Sequence, residues 1–205
     1  MTKVDLKQTH KTLYSASATA ITEVTAPQLR YLMIDGAGDP NTAPEYTAAV
    51  QALFSLAYAL KFAFKKTLDG FDYAVMPLEG LWWVQDPADF SYTERSGWRW
   101  TAMILQPDAI TAEAVAAQQV AVGKKKDLPA LSRVRFETLE EGRALQILHK
   151  GPFADEPPTI ERLHAEIVAR GLRPTGRHHE IYRTDVSKTA PEKLRTIIRQ
   201  PVAAA

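Results

Sequence analysis

The chain has 205 residues, enough for one large domain or two small fused units around a sizeable core. Its 25 basic and 24 acidic side chains leave a net charge of +1, so no global field gathers phosphates and nucleic acid is not expected as a partner. Cysteine is absent, which removes disulfides, thiolate zinc sites and cysteine nucleophiles from consideration.

The N-terminal MTKVDLKQTHKT lacks the apolar core of a signal peptide. Residues 29–40, LRYLMIDGAGDP, read as an apolar strand ending in a glycine turn. Its Asp35-Gly36-Ala37-Gly38 has neither a Walker lysine nor GxGxxG spacing, so it is not read as a phosphate loop. A helix follows, with Tyr46, Val50, Leu53, Ala57, Leu60 and Phe64 spaced by fours and threes along roughly five turns. Thr42-Ala43-Pro44-Glu45 before it forms a capping-box pattern. The apolar run Ala48–Phe64 is interrupted by Gln51, Ser55 and Lys61 and is too short and polar for a membrane span. A soluble cytoplasmic protein with no membrane partner is the expectation.

FDYAVMPLEGLWW at 71–83 reads as a strand carrying Met76, Glu79, Trp82 and Trp83, and WRWTAMIL at 98–105 alternates through Trp98 and Trp100. A helix near Thr111–Val122 stops at Gly123, and Lys124–Lys126 is its solvated end. A strand pair around VRFETL and RALQIL comes next. The second copy of the pattern begins at ALQILHKGPF (144–153), where His149-Lys150-Gly151-Pro152 is ordinary turn chemistry. Pro157 and Pro158 open a helix with Ile160, Leu163 and Ile167 on one face, and Gly171 suits its stop. GRHHEIYRTD (176–185) supplies the following strand, and Thr-Ala-Pro-Glu at 189–192 is expected to start a short terminal helix over EKLRTIIR.

The chain thus reads strand–helix–strand twice, with Glu79 and Glu180 in comparable places. The expected fold is one α+β domain over 1–205, an antiparallel sheet with helices on one face and a ligand cleft between two pseudo-symmetric repeats. Repeat one covers about 20–106, an extra helix about 108–126 and repeat two about 131–200.

Strand alternation puts His178, Glu180 and Tyr182 on one face of the last repeat's strand and His179 and Ile181 on the other. Ile181 is expected against the helical layer, leaving Glu180 and Tyr182 to look the opposite way. A metal needs three or four converging ligands, and the five histidines show no such spacing, so no metal is expected. Glu180 reads either as a solvated carboxylate paired with Arg177 or Arg183, or as a site residue; Glu79 carries the same two readings. All four tryptophans lie within residues 82–100. Apolar walls with one or two carboxylates suit a flat, partly polar ligand. Burial beside such rings raises a carboxylate's pKa and fits it for acid–base work.

The H-K-G-P turn at 149–152, the E-I-Y strand at 180–182 and the duplicated pattern resemble the GyrI-like small-molecule-binding domain, a family that includes effector domains of multidrug-responsive regulators. PLEGLWW (77–83), GRHHEIYRTD (176–185) and PEKLRTIIRQPV (191–202) resemble a stand-alone branch related to cyclopropanoid cyclopropyl hydrolases. The likeness runs from about residue 20 onward, and the chain departs from it at Asp185-Val186-Ser187, where D-P-R is the family pattern. No helix-turn-helix precedes the domain. The resemblance implies a two-repeat fold of SHS2 type, and a glutamate at Glu180 meeting lipophilic, often cationic, compounds in an aromatic pocket. For the stand-alone branch it implies water addition to a strained cyclopropane.

Two functions follow as expectations. In the first, Glu180, with Glu79, activates water for hydrolytic ring opening. Tyr182 donates to the carboxylate or to the developing phenolate, and Trp82, Trp83 and Trp100 stack on the drug. Trp98, His178 and Met76 complete the ligand-binding set, and no cofactor is required. In the second, the same walls sequester a flat cation without chemistry. A protein-interaction role, such as binding a topoisomerase, is weaker. The partner is a small aromatic or lipophilic molecule, and a homodimer stays open.

Overall fold

Apolar strands and two long amphipathic helices build a two-layer arrangement in which every apolar surface needs a cover. The structure is a computed structural model and describes residues 3–67, 70–86 and 94–205. Its elements are β1 (Lys3–Val4), α1 (Leu6–Thr9), β2 (Thr22–Ala26), β3 (Leu29–Ala37), α2 (Pro44–Phe64), β4 (Asp72–Tyr73), β5 (Glu79–Val84) and β6 (Trp98–Gln106). There follow α3 (Ala112–Gly123), β7 (Arg135–Leu139), β8 (Gly142–Lys150), α4 (Pro157–Ala169), β9 (Leu172–Pro174), β10 (His178–Tyr182) and β11 (Arg195–Ala204).

Among the described residues one antiparallel sheet holds nine strands in the order β2-β8-β11-β10-β5-β6-β3-β7, with β9 pairing β11 at the side. Its centre is the β10–β5 pair. Outward from there run β11 and β8 on one side and β6 and β3 on the other, the same sequence of third and then first strand in each repeat. The outer strands are exchanged: β2 pairs with β8, and β7 pairs with β3. Only Pro27 and Gln28 separate β2 from β3, although these strands lie toward opposite ends of the sheet. Two residues cannot bridge a flat sheet of this width, so the sheet is strongly curled.

The pairing register puts Ile147, Ile198, Glu180, Gly80, Ala102 and Ile34 in one row across six strands. Leu163 and Ile167 of α4 pack over the Ile147–Ile198 end of that row. At the other end α2 packs on β3 and β6, with Ala49, Ala52, Leu53, Leu56, Ala57 and Leu60 buried. Both helices therefore cover the face that carries Glu180. This reverses the expected orientation: Ile181 and His179 face away from the helices, toward the side closed by the segment bearing Leu13 and Tyr14.

Three local expectations also change. The capping box does not form, because Ala43 is the N-cap of α2 and no side chain bonds there; Pro44 opens the helix instead. Residues 71–83 make two strands, with Pro77, which has no N–H for a ladder, in the break between them. The terminal segment is β11, and the recurring Thr-Ala-Pro-Glu yields only a single 3₁₀ turn at Pro191–Lys193. Residues 196–202 are buried on both faces between β8 and β10, so the run lacks the alternation of an edge strand. Thr111 caps α3 through the Ala114 N–H, and Gly171 takes a φ of +66° beyond α4.

Candidate active site

Glu180 is the one charged residue in its row, and it falls where the covers of α2 and α4 part. A cavity of about 1350 Å³ opens there, lined in part by Tyr46, Met76, Trp82, Trp98, Glu156 and Glu180. Only 8% of Glu180 is exposed. Tyr182 Oη donates to its Oε2 at 2.8 Å, and His178 Nε2 donates to its Oε1 at 3.1 Å. Trp82 Nε1 in turn donates to Tyr182 Oη at 3.1 Å. Period-two alternation brings His178, Glu180 and Tyr182 to one side, and the register brings Trp82 opposite His178.

The Trp82–Tyr182–Glu180 chain depends on Gly80, which pairs with Glu180. A Cβ at residue 80 would lie 2.7 Å from Trp82 Nε1 and 3.1 Å from Tyr182 Oη. Tyr46 of α2 closes the wall, with ring centroids 5.8 Å from Trp82 and 5.0 Å from Trp100. Trp98 meets Trp82 edge-on at 5.7 Å. Burial first, then the Glu180 charge, raises the phenols of Tyr182 and Tyr46 above their ordinary range. Both stay neutral donors at neutral pH.

A second carboxyl enters from the start of α4. Glu156 is 4% exposed and lines the cavity. Burial, followed by the Glu180 charge, pushes its pKa up to about 10. Its Oε1 and the Thr196 hydroxyl are buried without a hydrogen bond of good geometry among the described residues, while Thr196 and the Glu180 carboxylate both lie close enough to act on the Glu156 carboxyl. Across the mouth, burial and then the His178 ring lower the pKa of His164. Nothing in A-D-E-P-P marked Glu156 as a site residue, and Tyr46 and Gly80 carried no local signal either.

Other candidates lie elsewhere. Glu79 is 0% exposed and faces the opposite side, one residue out of step with the Glu180 row, so it does not line the cavity. It accepts from Tyr14 Oη at 2.5 Å and from His179 Nε2 at 2.9 Å. The other ring nitrogen of His179 meets Glu141 at 2.9 Å, and Arg199 holds the second Glu141 oxygen at 2.9 Å. Burial opposes the charged His179 ring, but the Glu141 charge and both carboxylate bonds raise it to about 9. Burial likewise opposes ionisation of Glu141, yet the His179 and Arg199 partners hold it down at about 2. The four formal charges cancel, and the cluster ties the N-terminal segment to the sheet.

Trp100 is fully buried, with Tyr46 edge-on to it; a Cβ on Gly36 would come within 2.1 Å of its ring, so it is core and not wall. Trp83 borders the cavity, but its ring lies under the Arg177 guanidinium at 3.5 Å. Among the described residues no three His, Asp or Glu side chains converge to hold a metal ion.

A duplicated strand–helix–strand fold with a large aromatic cavity between its helices defines a small-molecule-binding domain. The GyrI-like small molecule binding domain matches residues 19–203, and the chain belongs to that family. It is similar to an uncharacterised conserved protein from Listeria innocua, 38% identical over 98% of this chain and 100% of that one, with a TM-score of 0.90. A hydrolase from Listeria innocua is also 38% identical with the same coverage and a TM-score of 0.84. The C-terminal domain of EcmrR shares the fold alone, at 12% identity, 91% and 97% coverage and a TM-score of 0.54. No functionally curated protein matches the chain.

Proposed function

We propose that the protein is a cofactor-independent hydrolase that detoxifies planar electrophiles bearing a strained cyclopropane by adding water to them. The observation that carries this reading is Glu180, a buried carboxylate fixed by Tyr182 and His178 inside the aromatic cavity. The likeness to a hydrolase from Listeria innocua over nearly the whole chain supports it.

Glu180 orients a water and takes its proton as the water oxygen bonds to the unsubstituted cyclopropane carbon. The ring C–C bond breaks, and its electron pair moves into the conjugated carbonyl system. Tyr182 has a single O–H, and it is donated to Glu180, so its role is to fix the carboxylate and not to meet the developing phenolate. Trp82, Trp98 and Tyr46 flank the planar ligand and keep bulk water away. The cavity volume of about 1350 Å³ fits multi-ring molecules. Positioning and one general base each contribute ~10²–10⁴-fold, on top of the ring strain.

The same aromatic walls and carboxylates also favour sequestration of a flat cation, and one experiment separates the two. A cyclopropyl-dienone incubated with the protein should gain the mass of one water, and Glu180→Gln should abolish the gain. Tight binding with the ligand mass unchanged would sink the hydrolase and leave the binder.

A further inference from the structure

Glu156 is the N-cap of α4, yet its side chain caps nothing. An acidic N-cap ordinarily accepts from the N–H groups two or three residues on. Here Pro157 and Pro158 have no N–H, and the Thr159 N–H goes to the Glu156 carbonyl at 2.8 Å. The helix start therefore offers the carboxyl no donor, and the side chain lies in the cavity beside Glu180. Two carboxyls sharing one buried space cannot both ionise. Glu180 has hydrogen bonds from Tyr182 and His178, so the charge stays on Glu180 and the proton on Glu156. The other titratable and polar groups facing Glu156 are Tyr182 on β10, Thr196 on β11 and Arg95 ahead of β6. The attraction of Arg95 for an ionised Glu156 is outweighed by burial and the Glu180 charge.

We propose that Glu156 is a resident neutral acid that donates its proton to a carbonyl oxygen of the bound molecule, so that the cavity selects planar ligands carrying such an acceptor. The Glu156 O–H has the Glu180 carboxylate beside it as one acceptor, and a ligand carbonyl in the cavity supplies a second. The catalytic part of this rests on the hydrolase reading. As the cyclopropane bond breaks, the electron pair reaches the carbonyl oxygen, and Glu156 protonates it while Glu180 holds the proton from water. The product is the ligand plus one water. Proton transfer from Glu180 to its neighbour Glu156 then restores the starting pair, with no net proton taken from solvent.

The test uses binding, so it does not depend on turnover. Fluorenone and fluorene share a flat tricyclic frame and differ by a carbonyl against a methylene. Equilibrium dialysis gives the ratio of their affinities for the wild type, for Glu156→Ala and for Glu156→Gln. Glu156→Ala should lower the fluorenone-to-fluorene ratio about tenfold, the worth of one hydrogen bond. Glu156→Gln retains a donor and should keep much of the preference. Because it cannot release a proton, it should also slow ring opening about 10²-fold. A ratio unchanged in Glu156→Ala overturns the assignment, whatever cyclopropyl-dienone does. Absent turnover with the ratio shifted overturns only the hydrolase. Glu156 makes no cap bond at the start of α4, so its removal leaves the helix start intact, and thermal unfolding checks that each variant is folded.

Discussion

Replacing Glu79 by glutamine separates the two carboxylates that share the centre of the sheet. Glu79 holds Tyr14 Oη at 2.5 Å and the His179 Nε2 at 2.9 Å in a site with no exposed surface. Glutamine keeps the volume but has one acceptor oxygen, so its amide group meets one of the two donors head-on. It also leaves the cluster of His179, Arg199 and Glu141 with one uncompensated positive charge. Breaking a buried pair in this way costs about 3 kcal/mol, the lower part of the range for such losses. For a chain near 200 residues each kcal/mol lowers the melting temperature by about 2–4 °C, so Glu79→Gln should unfold about 6–12 °C below the wild type. Circular dichroism melts at pH 7 give that difference. Below the transition, the folded variant should match the wild type in fluorenone binding and in the proposed conversion of cyclopropyl-dienone, because its side chain is on the other face. A Glu79→Gln protein with a wild-type melting temperature but no turnover would refute the separation of the two faces.

The same cluster sets a pH dependence. His179 is raised to about 9 in the fold, so its contribution is fully present below its ordinary value near 6.5 and is lost as pH rises through about 9. The shift corresponds to about 3 kcal/mol, so urea midpoints should fall between pH 7 and pH 10; a flat profile would mean that His179 is neutral in the fold. Gly80→Ala places a methyl 2.7 Å from Trp82 Nε1. It should displace the Trp82–Tyr182 contact and weaken fluorenone binding about tenfold, by dialysis, with less than about 2 kcal/mol lost in urea unfolding.

How much was legible depended on the range over which each feature is decided. The helices α2 and α4 were readable because their apolar residues repeat at helical spacing within one segment. The exchange of β2 and β7 between repeats was not, because pairing partners more than 100 residues apart leave no local mark. Residues 196–202 misled for a related reason: a strand buried on both sides shows no alternation, and Pro191 before it resembles a helix start. At the site, alternation did put His178, Glu180 and Tyr182 together, since that needs only the strand's own period. Which sheet face they took could not be read from the strand alone, because it depends on where α2 and α4 land.

Glu79 shows how narrow the margin is. Matching the two repeats by their glutamates sets Glu79 against Glu180, whereas the hydrogen-bond register sets Gly80 there and Glu79 against Ile181. One residue of slip turns a carboxylate from the helix-covered side to the closed side. The slip has a physical use at the junction. Each helix covers its own repeat, so the middle of the row Ile147, Ile198, Glu180, Gly80, Ala102 and Ile34 lies where neither helix reaches. A glutamate from both repeats at that point would bring two ionised side chains face to face beside Glu156. Gly80 instead leaves room for Trp82 and Tyr182 to hold the single charge of Glu180 in place. The duplicated fold thus makes the cavity, and an unequal pair at its centre makes the cavity chemically directional.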